Sequence, residues 1–82
     1  MYQMIVVDDE AELREGISNY FPWESLNIRV TGIFENGRTA FAYLKAHPVD
    51  IVLTDIRMPF MDGLELIEKA KAVSPSTCYV IL

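Results

Sequence analysis

Two hydrophobic periodicities take turns along this chain, and their alternation constrains its fold more than any other feature. Met4-Ile5-Val6-Val7 and Ile51-Val52-Leu53-Thr54 are short runs without polar alternation. Such runs suit strands covered on both faces, as in a parallel sheet. Between them the apolar residues fall at helical spacing: Leu13, Ile17, Tyr20 and Phe21, then Ala40, Phe41 and Leu44. Pro22 stops the first of these helices, and Trp23 to Asn27 connects it to a second strand over Ile28–Phe34. Gly32 within that strand marks a bulge or a close backbone approach. Asn36-Gly37 reads as a turn, and His47-Pro48 ends the second helix.

A loop from Ile56 to Met61 follows the third strand. Asp62 and Glu65 then have capping-box spacing for a third helix with a buried face of Leu66, Ile67, Ala70 and Val73. Ser74-Pro75 closes it, and Cys78 to Leu82 opens a fourth strand. The order β-α-β-α-β-α-β predicts one α/β domain, a parallel sheet with helices on its faces. The fourth strand runs to the last residue, so the chain reads as cut within a longer domain.

Charge narrows the function. Twelve acidic residues against seven basic ones leave a net charge of −5. That balance argues against a nucleic-acid surface, which needs cations to replace phosphate counterions. It suits binding of cations or basic partner surfaces. No apolar run approaches the roughly 20 residues of a membrane span, and the N-terminus has no secretory pattern. The single cysteine, Cys78, has no internal partner and points to a reducing cytoplasm.

The acids have a pattern. Asp8 and Asp9 end the first strand and Asp55 ends the third. In open α/β sheets, ligands sit beyond the carboxyl ends of the strands, where strand order reverses. If the first and third strands are neighbours, three carboxylates converge on one crevice, and a cation must join them. Hard oxygen ligands favour Mg²⁺ or Mn²⁺. Each acid also has a plainer reading: Asp9 with Glu12 has capping-box spacing, and Asp55 alone would be a strand-end loop acid.

The stretch Thr54-Asp55-Ile56-Arg57-Met58-Pro59-Phe60-Met61-Asp62-Gly63-Leu64, with Val7-Asp8-Asp9-Glu10 upstream, resembles bacterial response-regulator receivers of two-component systems. Phe21-Pro22-Trp23-Glu24-Ser25-Leu26 and Glu35-Asn36-Gly37 are similar to the subgroup whose receivers precede AraC-type DNA-binding domains. The resemblance implies a flavodoxin-like, doubly wound sheet with strand order 2-1-3-4. It implies that residues 1–82 are a partial receiver lacking helix 4, strand 5 and helix 5. It also implies that Asp55 takes a phosphoryl group from the phosphohistidine of a sensor kinase, forming an acyl phosphate. Asp8, Asp9, Asp55 and the backbone carbonyl of Arg57 would hold Mg²⁺ (or Mn²⁺), Asp9 directly and Asp8 largely through water. Such a domain is a signalling phosphoacceptor, with at most self-phosphorylation from small donors and slow self-dephosphorylation. DNA binding would belong to a domain outside this chain.

Receivers also carry a Ser or Thr after strand 4 and a Lys ending strand 5, and this chain stops before both. The missing helix 5 predicts bare apolar surface on strands 1 and 3, and with it self-association. The rival reading is a receiver-like interaction or dimerisation module that is not phosphorylated. A nucleotide- or flavin-binding domain would need a glycine-rich phosphate loop after the first strand, which is missing. A phosphohydrolase with a strand-1 nucleophile fits poorly, because the adjacent acids lack a following Thr. The remaining residues of note read structurally. Arg57 is a solvated or kinase-facing charge, His47 an exposed helix-end residue, Cys78 a packing thiol and Trp23 a loop anchor. Asp62-Gly63 reads as a cap plus a flexible backbone position. Lys45, Lys69 and Lys71 lie on solvated helix faces, with Glu65 and Lys69 spaced as an i,i+4 pair.

Overall fold

The structure is a computed structural model that describes all residues, 1–82. Its four strands are β1 (Tyr2–Val7), β2 (Ile28–Phe34), β3 (Ile51–Thr54) and β4 (Cys78–Ile81), and its helices are α1 (Ala11–Tyr20), α2 (Gly37–Ala46) and α3 (Gly63–Val73). All strand pairs are parallel, in the order β2-β1-β3-β4. The 2-1-3-4 order of the flavodoxin-like fold is therefore present. β1 and β3 are direct neighbours, with Val7 opposite Thr54. No helix is long and apolar enough to cross a membrane.

Strand alternation splits the core in two. Ile5, Val7 and Val52 face α2 and α3 and pack with Ala40, Leu44, Leu66 and Ala70. Met4, Val6 and Leu53 face the other way, with Ile17 and Trp23 packed against them. Trp23 sits in a 3-10 turn, Trp23–Leu26, and its indole N–H donates to the Ile17 carbonyl at 2.7 Å, which makes it the loop anchor expected. In β2 the register shifts between Met4 and Ile5, leaving Thr31 as a bulge beside Gly32. A Cβ on Gly32 would come within 2.9 Å of the Phe34 ring, so bulge and close approach coincide there.

Several expectations change. Asp9 does not cap α1: the N-cap position is Glu10 and no side chain caps it. Asp8 takes the local bond instead, its carboxylate accepting from the Glu10 N–H at 2.9 Å. Asn36 is the N-cap of α2 rather than part of a free turn, accepting from the Thr39 N–H at 2.9 Å. Of the predicted α1 face only Ile17 packs on the core, while Leu13, Tyr20 and Phe21 are exposed. The reason is placement: α1 packs mainly on β1 and β2, whereas α2 and α3 also pack on each other. The apolar surface expected on strands 1 and 3 is not bare, because Met4, Val6 and Leu53 are all buried. Exposure falls on Leu13 of α1 and Val80 of β4 instead. Val73, predicted to be buried, is exposed at the last residue of α3. Cys78 is not a packing thiol but exposed, since β4 lies beyond the part of the sheet that α1 covers.

Candidate functional site

The site is made by where two strands stop. β1 ends at Val7 and β3 at Thr54, and these two residues are paired, so the chain leaves the sheet at the same level twice. Asp8, Asp9 and Asp55 are the next residues. Their carboxylate oxygens come within 4.8 Å of one another, which is the convergence expected of this trio. They differ in environment: Asp8 is buried, Asp55 half-buried and Asp9 exposed.

Backbone bonds hold the two ends in place. The Asp55 N–H donates to the Val7 carbonyl at 2.9 Å, and the Asp8 N–H donates to the Phe34 carbonyl at 3.0 Å. One Asp55 oxygen, Oδ1, accepts from the Ile56 N–H at 2.8 Å. That bond fixes the carboxylate and leaves Oδ2 free. Burial raises the pKa of Asp8 first of all. The charges of Asp55 and Asp9 raise it further, while the Glu10 N–H and Arg14 pull the other way. Three like charges at this spacing repel one another unless a cation lies among them.

The donor set fits a hard divalent ion. It offers three carboxylates; the Arg57 carbonyl, two residues beyond Asp55 in sequence, accepts no hydrogen bond. Oxygen-only donors of this kind suit Mg²⁺ or Mn²⁺. The Arg57 side chain is exposed and makes no close ion pair, as a solvated charge does.

The loop from Asp55 to α3 is held by close backbone approaches. The Gly63 N–H donates to the Ile56 carbonyl at 2.7 Å, and a Cβ on Gly63 would collide with the Asp55 carbonyl. Gly63 is thus required for space and not for flexibility, since no glycine has positive φ. Asp62 caps α3 as expected, its Oδ1 accepting from the Glu65 N–H at 2.8 Å. Glu65 does not return the bond and pairs with Lys69 at 3.4 Å. On the far side, the Gly37 N–H donates to the Met61 carbonyl at 3.1 Å, and Arg38 lies 4.7 Å from the Phe60 ring centroid.

Of the participants here, one was read in another role and one was missed. Gly63 is the first. The second is Arg14, whose guanidinium donates to the Asp8 carbonyl at 2.8 Å. The available signal was its place in the first turns of α1: helical side chains lean toward the N-terminus, here toward the strand end. His47, in contrast, lies away from the site, exposed at the end of α2 with its ring 4.8 Å from that of Tyr43.

A parallel sheet in this order, with an acid trio where its two central strands end, defines the receivers of response regulators as a class. The chain belongs to that family, matching the response regulator receiver domain over residues 4–82. It is 42% identical over 82 residues to the uncharacterized transcriptional regulatory protein YesN of Bacillus subtilis, covering all of this chain and 22% of YesN. The REC domain of AraT, a response regulator from Geobacillus stearothermophilus, superposes with a TM-score of 0.91 at 34% identity. That match covers 98% of this chain and 62% of the AraT chain. A two component transcriptional regulator AraC from Clostridium phytofermentans gives a TM-score of 0.90 at 30% identity, over 99% of this chain and 63% of that one. The chain spans about a fifth to a third of the relatives matched by sequence, 22% of YesN and 32% of a Staphylococcus epidermidis response regulatory protein.

Proposed function

We propose that Asp55 accepts a phosphoryl group from the phosphohistidine of a sensor histidine kinase in the cytoplasm. The chain would then be the receiver part of a transcriptional regulator, its DNA-binding output (AraC-type by its relatives) lying outside these residues. Residues 1–82 would correspond to the receiver up to its fourth strand. Asp8, Asp9, Asp55 and the Arg57 carbonyl are the residues that would hold Mg²⁺ (or Mn²⁺). The observation that carries this reading is Asp55 itself: half-buried, fixed through Oδ1, with a free oxygen, and within 4.8 Å of two further carboxylates.

The free Asp55 oxygen acts as nucleophile on phosphorus. The new O–P bond forms as the P–N bond breaks in line, and the electron pair stays with the imidazole nitrogen. When bound, the metal supplies charge neutralisation and orients the phosphoryl oxygens. The protein's own part is positioning. The Ile56 N–H holds the carboxylate rotamer, the Val7 carbonyl holds the Asp55 backbone, and Gly63 lets α3 approach the Asp55 carbonyl. No general base is needed, because Asp55 attacks as a carboxylate.

The test is incubation with Mg²⁺ and a small acyl-phosphate donor, read by intact mass. Wild type should gain one phosphoryl group and Asp55→Asn none. An adduct of equal yield on Asp55→Asn would remove Asp55 from the acceptor role.

A further inference from the structure

Arg14 is the cation held at the acidic crevice, its guanidinium bonded to the main chain of Asp8, the buried acid of the trio. Its guanidinium makes no carboxylate ion pair; the molecule's single close pair is Lys69–Glu65 on α3. Arg14 is anchored instead on the Asp8 main-chain carbonyl at 2.8 Å, and its own N–H donates to the Glu10 carbonyl at 2.9 Å. A guanidinium tied to a carbonyl keeps its charge at the site while leaving the carboxylate oxygens open. The side chain is half-buried, so solvent screens it less than an exposed arginine.

We infer that Arg14 is the resident counter-cation of the acidic crevice, steadying the metal-free trio and weakening the hold of those carboxylates on a divalent ion. The inference rests on the metal-assisted reading of Asp8, Asp9 and Asp55. Its physics is a unit charge held at Asp8, whose carboxylate lies within 4.8 Å of those of Asp9 and Asp55. Arg14 offsets part of their repulsion when no metal is bound, and it repels the metal when one arrives. The metal-free and metal-loaded sites are thereby brought closer in free energy, which suits a site that must exchange its ion between phosphorylation events.

The test compares Arg14→Gln and Arg14→Lys with wild type. Mn²⁺ binding is followed by loss of the free-ion electron paramagnetic resonance signal, and metal-free melting by circular dichroism. At low salt, Arg14→Gln should bind Mn²⁺ about three- to tenfold more tightly, the effect of one unit charge on a divalent ion several ångströms away. Its metal-free form should melt earlier than wild type. Both differences should shrink in about 0.5 M salt, where the screening length falls to a few ångströms. Arg14→Lys, which keeps the charge, should bind Mn²⁺ like wild type. A merely structural arginine would give weaker binding in Arg14→Gln at every ionic strength, and that result overturns the inference. Equal binding at low salt does the same. Arg14→Met, which keeps the apolar stem, makes the comparison if Gln unsettles the turn. Failure of wild type itself to bind Mn²⁺, with Asp9→Asn no different, would overturn the metal reading and this inference together. Failure in the Arg14 variants alone leaves the metal reading standing.

Discussion

At the scale of the residue, the site is held together by groups that oppose one another. Asp8 is a buried carboxylate beside two more, and its pKa is raised from the ordinary 3.8, chiefly by burial. The folded chain therefore binds the Asp8 proton more tightly than the unfolded chain does. The stability this proton contributes is full below the unfolded value of 3.8 and is lost as pH rises through the folded value. At neutral pH, without metal, ionised Asp8 is a cost. Asp8→Asn keeps the oxygen that accepts the Glu10 N–H and removes that cost. The variant should be more stable than wild type at pH 7 by about 1 kcal/mol, the repulsion of unit charges at this spacing in water. Its advantage should vanish below pH 3.8, where Asp8 is protonated in both states. Urea midpoints at the two pH values, in chelator, check this. Gly63 gives a steric counterpart: Gly63→Ala should destabilise by about 1–3 kcal/mol, because its Cβ overlaps the Asp55 carbonyl and α3 must move. The same substitution should slow phosphorylation from a small donor, as it shifts the nucleophile's own backbone. Nothing in the sequence reveals that overlap. Asp62-Gly63 looks like a helix start with a permissive residue, and only the path of the chain brings Asp55 against it.

At the scale of the element, caps and strand ends decide where the loops begin. Asp62 closes the first turn of α3 through the Glu65 N–H, and the loop it ends is the one that carries Asp55 and Arg57. Asp62→Ala should lower stability by about 1 kcal/mol, the usual worth of such a cap. Equilibrium urea unfolding measures it, and Asp62→Asn should recover most of the loss. Elements of this kind were legible because their signals are local. β2 and β3 run over the residues that short apolar stretches and turn chemistry assign, and the sheet order follows from the family's motif. The acid trio was legible for the same reason, as Asp8 and Asp55 directly follow paired strand ends and Asp9 comes one residue later. The errors share a different cause. Helical spacing says that Leu13, Ile17, Tyr20 and Phe21 have related directions, but not which of them another element covers. That Ile17 alone packs on the core, half-buried, depends on α1 lying mainly against β1 and β2. The cap of α1 went wrong because the helix begins one residue later than the capping-box spacing suggests, which puts Glu10 rather than Asp9 at the N-cap position. Arg14 was missed because its partner is a main-chain atom, and a carbonyl leaves no mark in a residue pattern.

At the scale of the whole molecule, the two faces of the sheet are unequal. α2 and α3 together cover one face, whereas α1 covers only the β1–β2 half of the other. β4 is an edge of the sheet, with exposed Cys78, Val80 and Ile81. An edge strand presents unpaired N–H and C=O groups, and natural proteins usually blunt such edges with charge or proline. Neither guards this strand: Cys78-Tyr79-Val80-Ile81 has no charged residue and no proline. The opposite edge is protected better, since β2 carries the Thr31 bulge and an exposed Arg29. For residues 1–82 taken alone, the physical expectation is that two copies meet through β4 and not through β2. Sedimentation velocity should then show a concentration-dependent dimer. Val80→Lys, placing charge on a residue that is 41% exposed, should weaken that dimer at least about tenfold, as a charge on a pairing edge is meant to do. Arg29→Val on β2 should leave the dimer unchanged, because the bulge remains. If Val80→Lys sediments as wild type does, β4 is not the contact. A reversal, with the β2 variant alone altering association, would mean that the bulge is no barrier to pairing in this sheet.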